Sequence, residues 1–175
     1  VHRYHIPLIV DEAHGAHFGF SKAFPQTAVR CGADVVVQSA HKTLPSLTQT
    51  SLIHLNGDIC HRKKIRKYYD FLQTTSPSYI MMASLDHCMI LLEQNSSRYF
   101  DKYQQMLTDF LKKCRKFKHL HILEASDMAQ NNIFDFDMSK IVIYSQSVCA
   151  CGKWIYSILL NRYHIQLEMV ARDDA

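Results

Sequence analysis

Two short apolar runs, each ending at a polar stretch, organise the first half of the chain. Ile6-Pro7-Leu8-Ile9-Val10 stops at Asp11, and Ala33 to Gln38, built on Val35-Val36-Val37, stops at Ser39. Unbroken apolar runs of this length read as strands buried on both faces, the pattern of a parallel sheet. Pro7 lacks an N–H and is tolerated only near the start of its strand. Between the runs, Asp11 to Phe20 loses all periodicity and carries Gly15 and Gly19, which predicts a loop. Pro25 to Cys31 predicts a short helix, with Pro25 in its first turn and Gly32 as its stop. Strand, helix and strand in so few residues form a compact parallel crossover.

Gln49 to Leu55 alternates and predicts a third strand, closed by Asn56-Gly57-Asp58. Asp58 is placed to cap a helix running to about Leu72, after which Thr74 to Ser78 is a polar break. Tyr79 to Glu93 predicts a helix with Ile80, Ala83, Leu85, Met89 and Leu92 at helical spacing, and Met81 and Met82 as core filler. A second long helix is predicted from about Ser97 to Phe117. His119 to Leu123 and Lys140 to Ser145 read as strands, and Ile133 to Asp137 is ambiguous. Lys153 to Tyr163 predicts a helix with Trp154, Ile155, Ile158 and Leu159 on one apolar face, and Ile165 to Val170 a closing strand. The pattern is α/β in the first half, with helices and an α+β tail in the second. It divides at residues 1–117 and 118–175.

At 175 residues and 47% hydrophobic content the chain suffices for one sizeable core. It opens one step before a buried strand and stops just after another, so we expect a piece of a longer protein. A net charge of +4 is mildly basic and does not by itself imply nucleic acid. The cations of His61-Arg62-Lys63-Lys64 and Arg66-Lys67 could face an anionic partner, but a solvated helix face is the favoured reading. Cys31, Cys60, Cys88, Cys114, Cys149 and Cys151 form no C-x-x-C pair, and Cys149-Ala150-Cys151 is too tight for zinc. Reduced thiols in a cytoplasmic protein follow. No run approaches the roughly 20 apolar residues of a membrane span. We expect neither metal, nucleic acid nor membrane as a partner.

Chemistry enters at the strand ends. Lys42, in Ser39-Ala40-His41-Lys42-Thr43-Leu44-Pro45, lies just past the second strand, where open α/β sheets place their ligands. Pyridoxal phosphate (PLP) needs an amine for its aldehyde and a carboxylate that keeps its ring nitrogen protonated. Lys42 can supply the first and Asp11, at the end of the other strand, the second. Ala13 and His14 suit the ring face and the phenolic oxygen. Ser39 offers a hydroxyl for the phosphate, and His41 a second imidazole beside the amine.

The segments Val10-Asp11-Glu12-Ala13-His14-Gly15-Ala16-His17-Phe18, Gly32 to Pro45 and Leu47-Thr48-Gln49-Thr50-Ser51 closely resemble the Orn/Lys/Arg decarboxylase family, among the fold type I, aspartate-aminotransferase-like PLP enzymes. The resemblance continues at Thr75-Ser76-Pro77-Ser78-Tyr79 and Ala83-Ser84-Leu85-Asp86, and is looser from about Ser97 onward. It implies part of a PLP-binding major domain, a mostly parallel sheet flanked by helices. It implies Lys42 as the Schiff-base lysine, Asp11 on the pyridinium nitrogen, Ala13 on the ring and His14 at its phenolic oxygen. Ser39 and His41 would help bind phosphate, and Thr75 and Ser76 would reach a neighbouring subunit's cofactor in a homodimer or higher oligomer. The implied reaction is α-decarboxylation of lysine, arginine or ornithine, with Lys42, His14 and Asp11 as the catalytic set. The family's upstream phosphate-binding turn and its C-terminal domain would lie beyond Val1 and Ala175, so the chain is not expected to be catalytically complete alone.

Other readings compete. Val10-Asp11-Glu12-Ala13-His14 also reads as the magnesium-binding box of a DEAH helicase, with Ser39-Ala40 hinting at the segment that follows. Against it, no G-x-x-x-x-G-K-[ST] loop is present, position 41 is His rather than Thr, and Lys42 has no role. A PLP-dependent aminotransferase or acyltransferase, or a non-catalytic PLP-fold remnant, are the further alternatives.

Overall fold

The computed structural model describes residues 1–128, 132–145 and 151–170. The chain falls into two compact units, Val1–Lys102 and Tyr103–Ala175.

The first unit is built on a three-stranded sheet in the order β1 (Ile9–Asp11), β2 (Val35–Gln38), β3 (Leu52–Leu55). β1 and β2 are parallel, pairing Ile9 with Val35 and Asp11 with Val37. β2 and β3 are antiparallel, pairing Val35 with Leu55 and Gln38 with Leu52. The apolar run Val35-Val36-Val37 therefore takes the centre, and Val36 is fully buried. The mixed sheet corrects the expectation of a mostly parallel one, since only one of its two strand pairs is parallel. The reason lies in the connection. The link from Gln38 to Leu52 holds only the four-residue helical turn α1 (Ala40–Thr43), with no longer helix to carry the chain back across the sheet, and it returns the chain antiparallel.

Two further expectations fail here for visible reasons. Pro25 to Cys31 forms turns, not a helix. Two of its amides go to side chains, Ala28 N–H to Glu12 Oε1 at 2.8 Å and Arg30 N–H to Thr27 Oγ1 at 3.2 Å, while Cys31 N–H makes a single helical bond to Thr27 O at 3.0 Å. Nor does Asp58 cap a helix. α2 spans Arg62–Leu72, its N-cap is His61, and no side chain bonds its first amides. β1 is also shorter than its apolar run, because Leu8 N–H donates to the Asp34 carboxylate at 2.7 Å.

α3 is one continuous helix, Tyr79–Cys114, where two were expected. The gap expected between Glu93 and Ser97 is helical, and within it the Asn95 side-chain amide donates to Leu91 O, one turn back, at 3.4 Å. Within the first unit α3 buries Cys88, Leu92 and Phe100, whereas Ile80 and Met82 are exposed. Met82 is thus not core filler. Phe100 stacks on Phe20 with centroids 5.4 Å apart and meets Phe24 edge-on at 6.0 Å. His17, itself buried, meets Phe24 edge-on at 4.7 Å. This aromatic cluster packs the loop after β1 against α3.

The second unit contains a two-stranded antiparallel sheet, β4 (Leu120–Ile122) with β5 (Ile143–Ser145), followed by α5 (Gly152–Tyr163). A short turn of helix, α4 (Ala125–Met128), follows β4. Arg115, at the end of α3, grips Glu124 with two nitrogens, Nε to Oε1 at 3.0 Å and Nη2 to Oε2 at 2.5 Å. Ile133 to Asp137 has no regular structure, and the expected strand over residues 165–170 is absent. There α5 ends on His164 in the left-handed conformation, and Ile165 N–H turns back to Leu159 O at 2.9 Å, a helix-terminating geometry. Trp154 is exposed rather than part of an apolar face. Cys149 lies outside the described residues.

Candidate active site

The site forms where the two parallel strands end. Alternation along β1 places Asp11 and Glu12 on opposite faces of the sheet. Asp11 shares a face with its partner Val37, while Glu12 shares one with Gln38 and His54. Both faces are used.

On the first face the Asp11 carboxylate is exposed, and its Oδ1 accepts the N–H of Ala13 at 3.0 Å. This contact within the Asp-Glu-Ala turn fixes the carboxylate at the strand's end. The polypeptide then turns through His14. From the neighbouring strand, α1 carries Lys42 into the same region, where Lys42 Nζ lies 3.1 Å from His14 Nε2. An ammonium can only donate, so His14 Nε2 is the acceptor in that pair. Both groups are exposed, so the amine and imidazole are open to a ligand.

Ser39 and His41 flank this pair. Ser39 N–H donates to Ala13 O at 3.3 Å, which ties the two loops together. His41 Nδ1 is 2.8 Å from Thr50 O, and so donates there and leaves Nε2 as the nitrogen for a ligand. Thr75 and Ser76 are exposed in the segment between α2 and α3, and no contact among the described residues joins them to Lys42. The structure thus gathers Asp11, Ala13, His14, Ser39, His41 and Lys42 at the ends of β1 and β2, and places Thr75 and Ser76 in the exposed segment between α2 and α3.

On the opposite face a set of residues comes together that the sequence reading passed over. Glu12 Oε1 accepts the N–H of Ala28 at 2.8 Å and its Oε2 accepts Gln38 Nε2 at 2.5 Å. Gln38 Oε1 in turn lies 2.9 Å from His54 Nε2. Alternation shows only which residues of one strand share a face; that these three share one depends on the registers of β1 with β2 and of β2 with β3, which sequence alone does not fix. Both Glu12 oxygens are committed inside the fold. That does not suit a carboxylate meant to hold magnesium, and no cluster of three metal-ligating side chains occurs among the described residues.

The donor set fits PLP. A carboxylate, a primary amine and an imidazole converge at the carboxyl ends of parallel strands, with a hydroxyl and a second imidazole adjacent. Each matches one polar feature of the cofactor.

Comparison with known proteins agrees. The model of the Orn/Lys/Arg decarboxylase major domain matches residues 1–153. A protein of Bacillus subtilis (strain 168) described as uncharacterized protein YaaO is 55% identical over 86 residues, 49% of this chain and 18% of that protein. Arginine decarboxylase of Bacillus cereus is 30% identical over 168 residues, 96% of this chain and 36% of that enzyme. Arginine decarboxylase of Bacillus subtilis (strain 168) is 25% identical over the same share of this chain and 34% of its own length. The chain therefore spans about a third of the arginine decarboxylases it matches. With the matched model covering residues 1–153, the chain belongs to the Orn/Lys/Arg decarboxylase family.

Proposed function

We propose that this chain is the PLP-holding part of a decarboxylase that removes the α-carboxyl group of a basic amino acid, with arginine the first substrate to test. The observation that carries this reading is the meeting of Lys42 Nζ and His14 Nε2 at 3.1 Å, beside the strand that ends in Asp11. The description of the relatives that match 96% of the chain as arginine decarboxylases supports the choice of substrate. In this reading the chain contributes to a fold type I large domain, with residues 1–117 in it and 118–175 continuing it or leading toward a small domain.

When bound, PLP supplies an electron sink through its protonated ring nitrogen. Asp11 holds the proton on that nitrogen, as a carboxylate beside a cation does. Lys42 provides the amine that retains the cofactor and yields to the substrate's amine. His14 Nε2 accepts a hydrogen bond from the Lys42 ammonium, steering it; it can take the proton that the ammonium must shed before its nitrogen bonds the aldehyde, and with that proton it would donate to the phenolic oxygen. Ala13 presents a small apolar surface to the ring. Ser39 and His41 Nε2 bind phosphate. Thr75 and Ser76, exposed between α2 and α3, serve the site of a second copy.

The test uses the full-length protein. Added PLP should produce the visible absorbance band of a lysine-bound pyridoxal, and Lys42→Ala should abolish it. Supplied with arginine, lysine or ornithine, the loaded protein should release CO2 and the matching amine. Formation of a keto acid instead would replace the decarboxylase with an aminotransferase. Absence of the band in the wild type would overturn the reading.

A further inference from the structure

Asp11 and Lys42 come from different strands, so something must hold the two strand ends in one geometry. The backbone contributes Glu12 N–H to Val37 O at 2.8 Å and Ser39 N–H to Ala13 O at 3.3 Å. Between them lies the side-chain bond from Gln38 Nε2 to Glu12 Oε2 at 2.5 Å, and Gln38 is buried. From Gln38 the chain of contacts crosses to β3 through His54.

The direction of every bond in this chain is dictated by Glu12. A carboxylate only accepts, so the Gln38 amide must turn its NH2 toward it. That leaves the Gln38 carbonyl oxygen facing His54, where it too only accepts. His54 must therefore carry its proton on Nε2. A doubly protonated His54 also donates from Nε2, so the arrangement persists whichever charge state His54 adopts.

We propose that Glu12 is a positioning residue for the cofactor site, acting through a one-way hydrogen-bond relay from His54 through Gln38 to Glu12 that locks the Asp11 strand end to the segment carrying Lys42. The relay is a property of the fold alone; its positioning role rests on the function proposed above. Glu12 touches no reacting group in this scheme. It sits on the far face of the sheet from Asp11 and also anchors the connecting loop through Ala28 N–H.

The relay makes a prediction that simple packing does not. In Glu12→Gln, one amide position must still accept from Ala28, so the new NH2 meets the NH2 of Gln38. Gln38 flips, its NH2 then faces His54 Nε2, and the His54 proton moves to Nδ1. Exchanging the two residues (Glu12→Gln with Gln38→Glu) restores every bond: Gln at 12 donates to the carboxylate at 38, which accepts from His54 Nε2–H.

The experiment records His54 ring 15N shifts and the PLP dissociation constant in full-length wild type, E12Q and the double variant E12Q/Q38E. The expected result is an Nε2–H tautomer in the wild type, Nδ1–H in E12Q with about tenfold weaker PLP binding, and return of both properties in the double variant. The double variant also decides the matter should E12Q alone not fold. An unchanged tautomer in E12Q overturns the relay. A flipped tautomer with wild-type PLP affinity, or an exchange that restores neither property, overturns the positioning role. Wild-type protein that takes up no PLP overturns the function proposed above and the positioning role with it, while the tautomer still decides the relay.

Discussion

Lys42 Nζ and His14 Nε2 lie 3.1 Å apart, the one from the helical turn after β2 and the other from the loop after β1. Both are exposed, so their hydrogen bond contributes little to stability, on the order of 0–1 kcal/mol. His14→Ala should accordingly leave the melting temperature nearly unchanged. It should weaken PLP retention and slow catalysis, because the amine loses the group that steers it. Parallel thermal melts and PLP titrations check this, and a large loss of stability would contradict it.

Asp34 behaves oppositely, as a structural carboxylate. Its Oδ2 accepts the N–H of Leu8 at 2.7 Å and meets His2 Nε2 at 2.8 Å. The Leu8 N–H, aided by His2, holds the Asp34 carboxyl below its ordinary pKa, with burial working the other way. A carboxyl whose folded value lies below its unfolded one stabilises fully above the unfolded value. That stabilisation is lost as pH falls through the lowered folded value. Asp34→Asn should therefore lower the melting temperature at neutral pH and flatten the loss of stability below about pH 4 that is expected of the wild type. Melting curves across that range provide the measurement.

Phe100 is the keystone of the aromatic cluster, buried on α3 between Phe20 and Phe24. Truncation to Ala removes its ring from both contacts and leaves a cavity. The expected cost is about 3–5 kcal/mol. Phe100→Leu, which fills more of the space, should cost clearly less. Denaturant unfolding of the two variants measures the difference.

The cysteines should separate by reactivity. Burial pushes the Cys88 thiol up, and burial together with the nearby Glu124 carboxylate pushes Cys114 up. Thiolate is the reactive form, so both should react slowly with an alkylating reagent at neutral pH. Cys31 and Cys151 are exposed and should react first. Mass spectrometry of a labelling time course gives the order, and early labelling of Cys88 in the folded protein would contradict it.

Much of the site was legible because its residues are adjacent in sequence to strong local signals. Val35-Val36-Val37 marked the central strand, and Asp11 and Lys42 follow the strand ends directly. What escaped was decided at a distance. The Pro25 to Cys31 stretch carries helix start and stop signals, yet the Glu12 carboxylate, 16 residues earlier, takes the amide of Ala28. The lapse of the apolar pattern between Glu93 and Ser97 predicted two helices, yet the backbone stays helical through it, with Asn95 bonded back to Leu91 O. Glu12 itself looked like one letter of a motif. Its role depends on Gln38 and His54, which meet only in the folded sheet.

The position of β2 between β1 and β3 has a consequence for how the site comes apart. Among the described residues β2 is bonded on both edges and β1 on one, and Ile9 on β1 remains 67% exposed. Local opening should therefore release the amides of β1 before those of β2. In hydrogen exchange, the segment bearing Asp11 would lose protection first, while the strand leading to Lys42 would hold its protons longest. The fold would let go of the cofactor's ring nitrogen before it let go of its aldehyde.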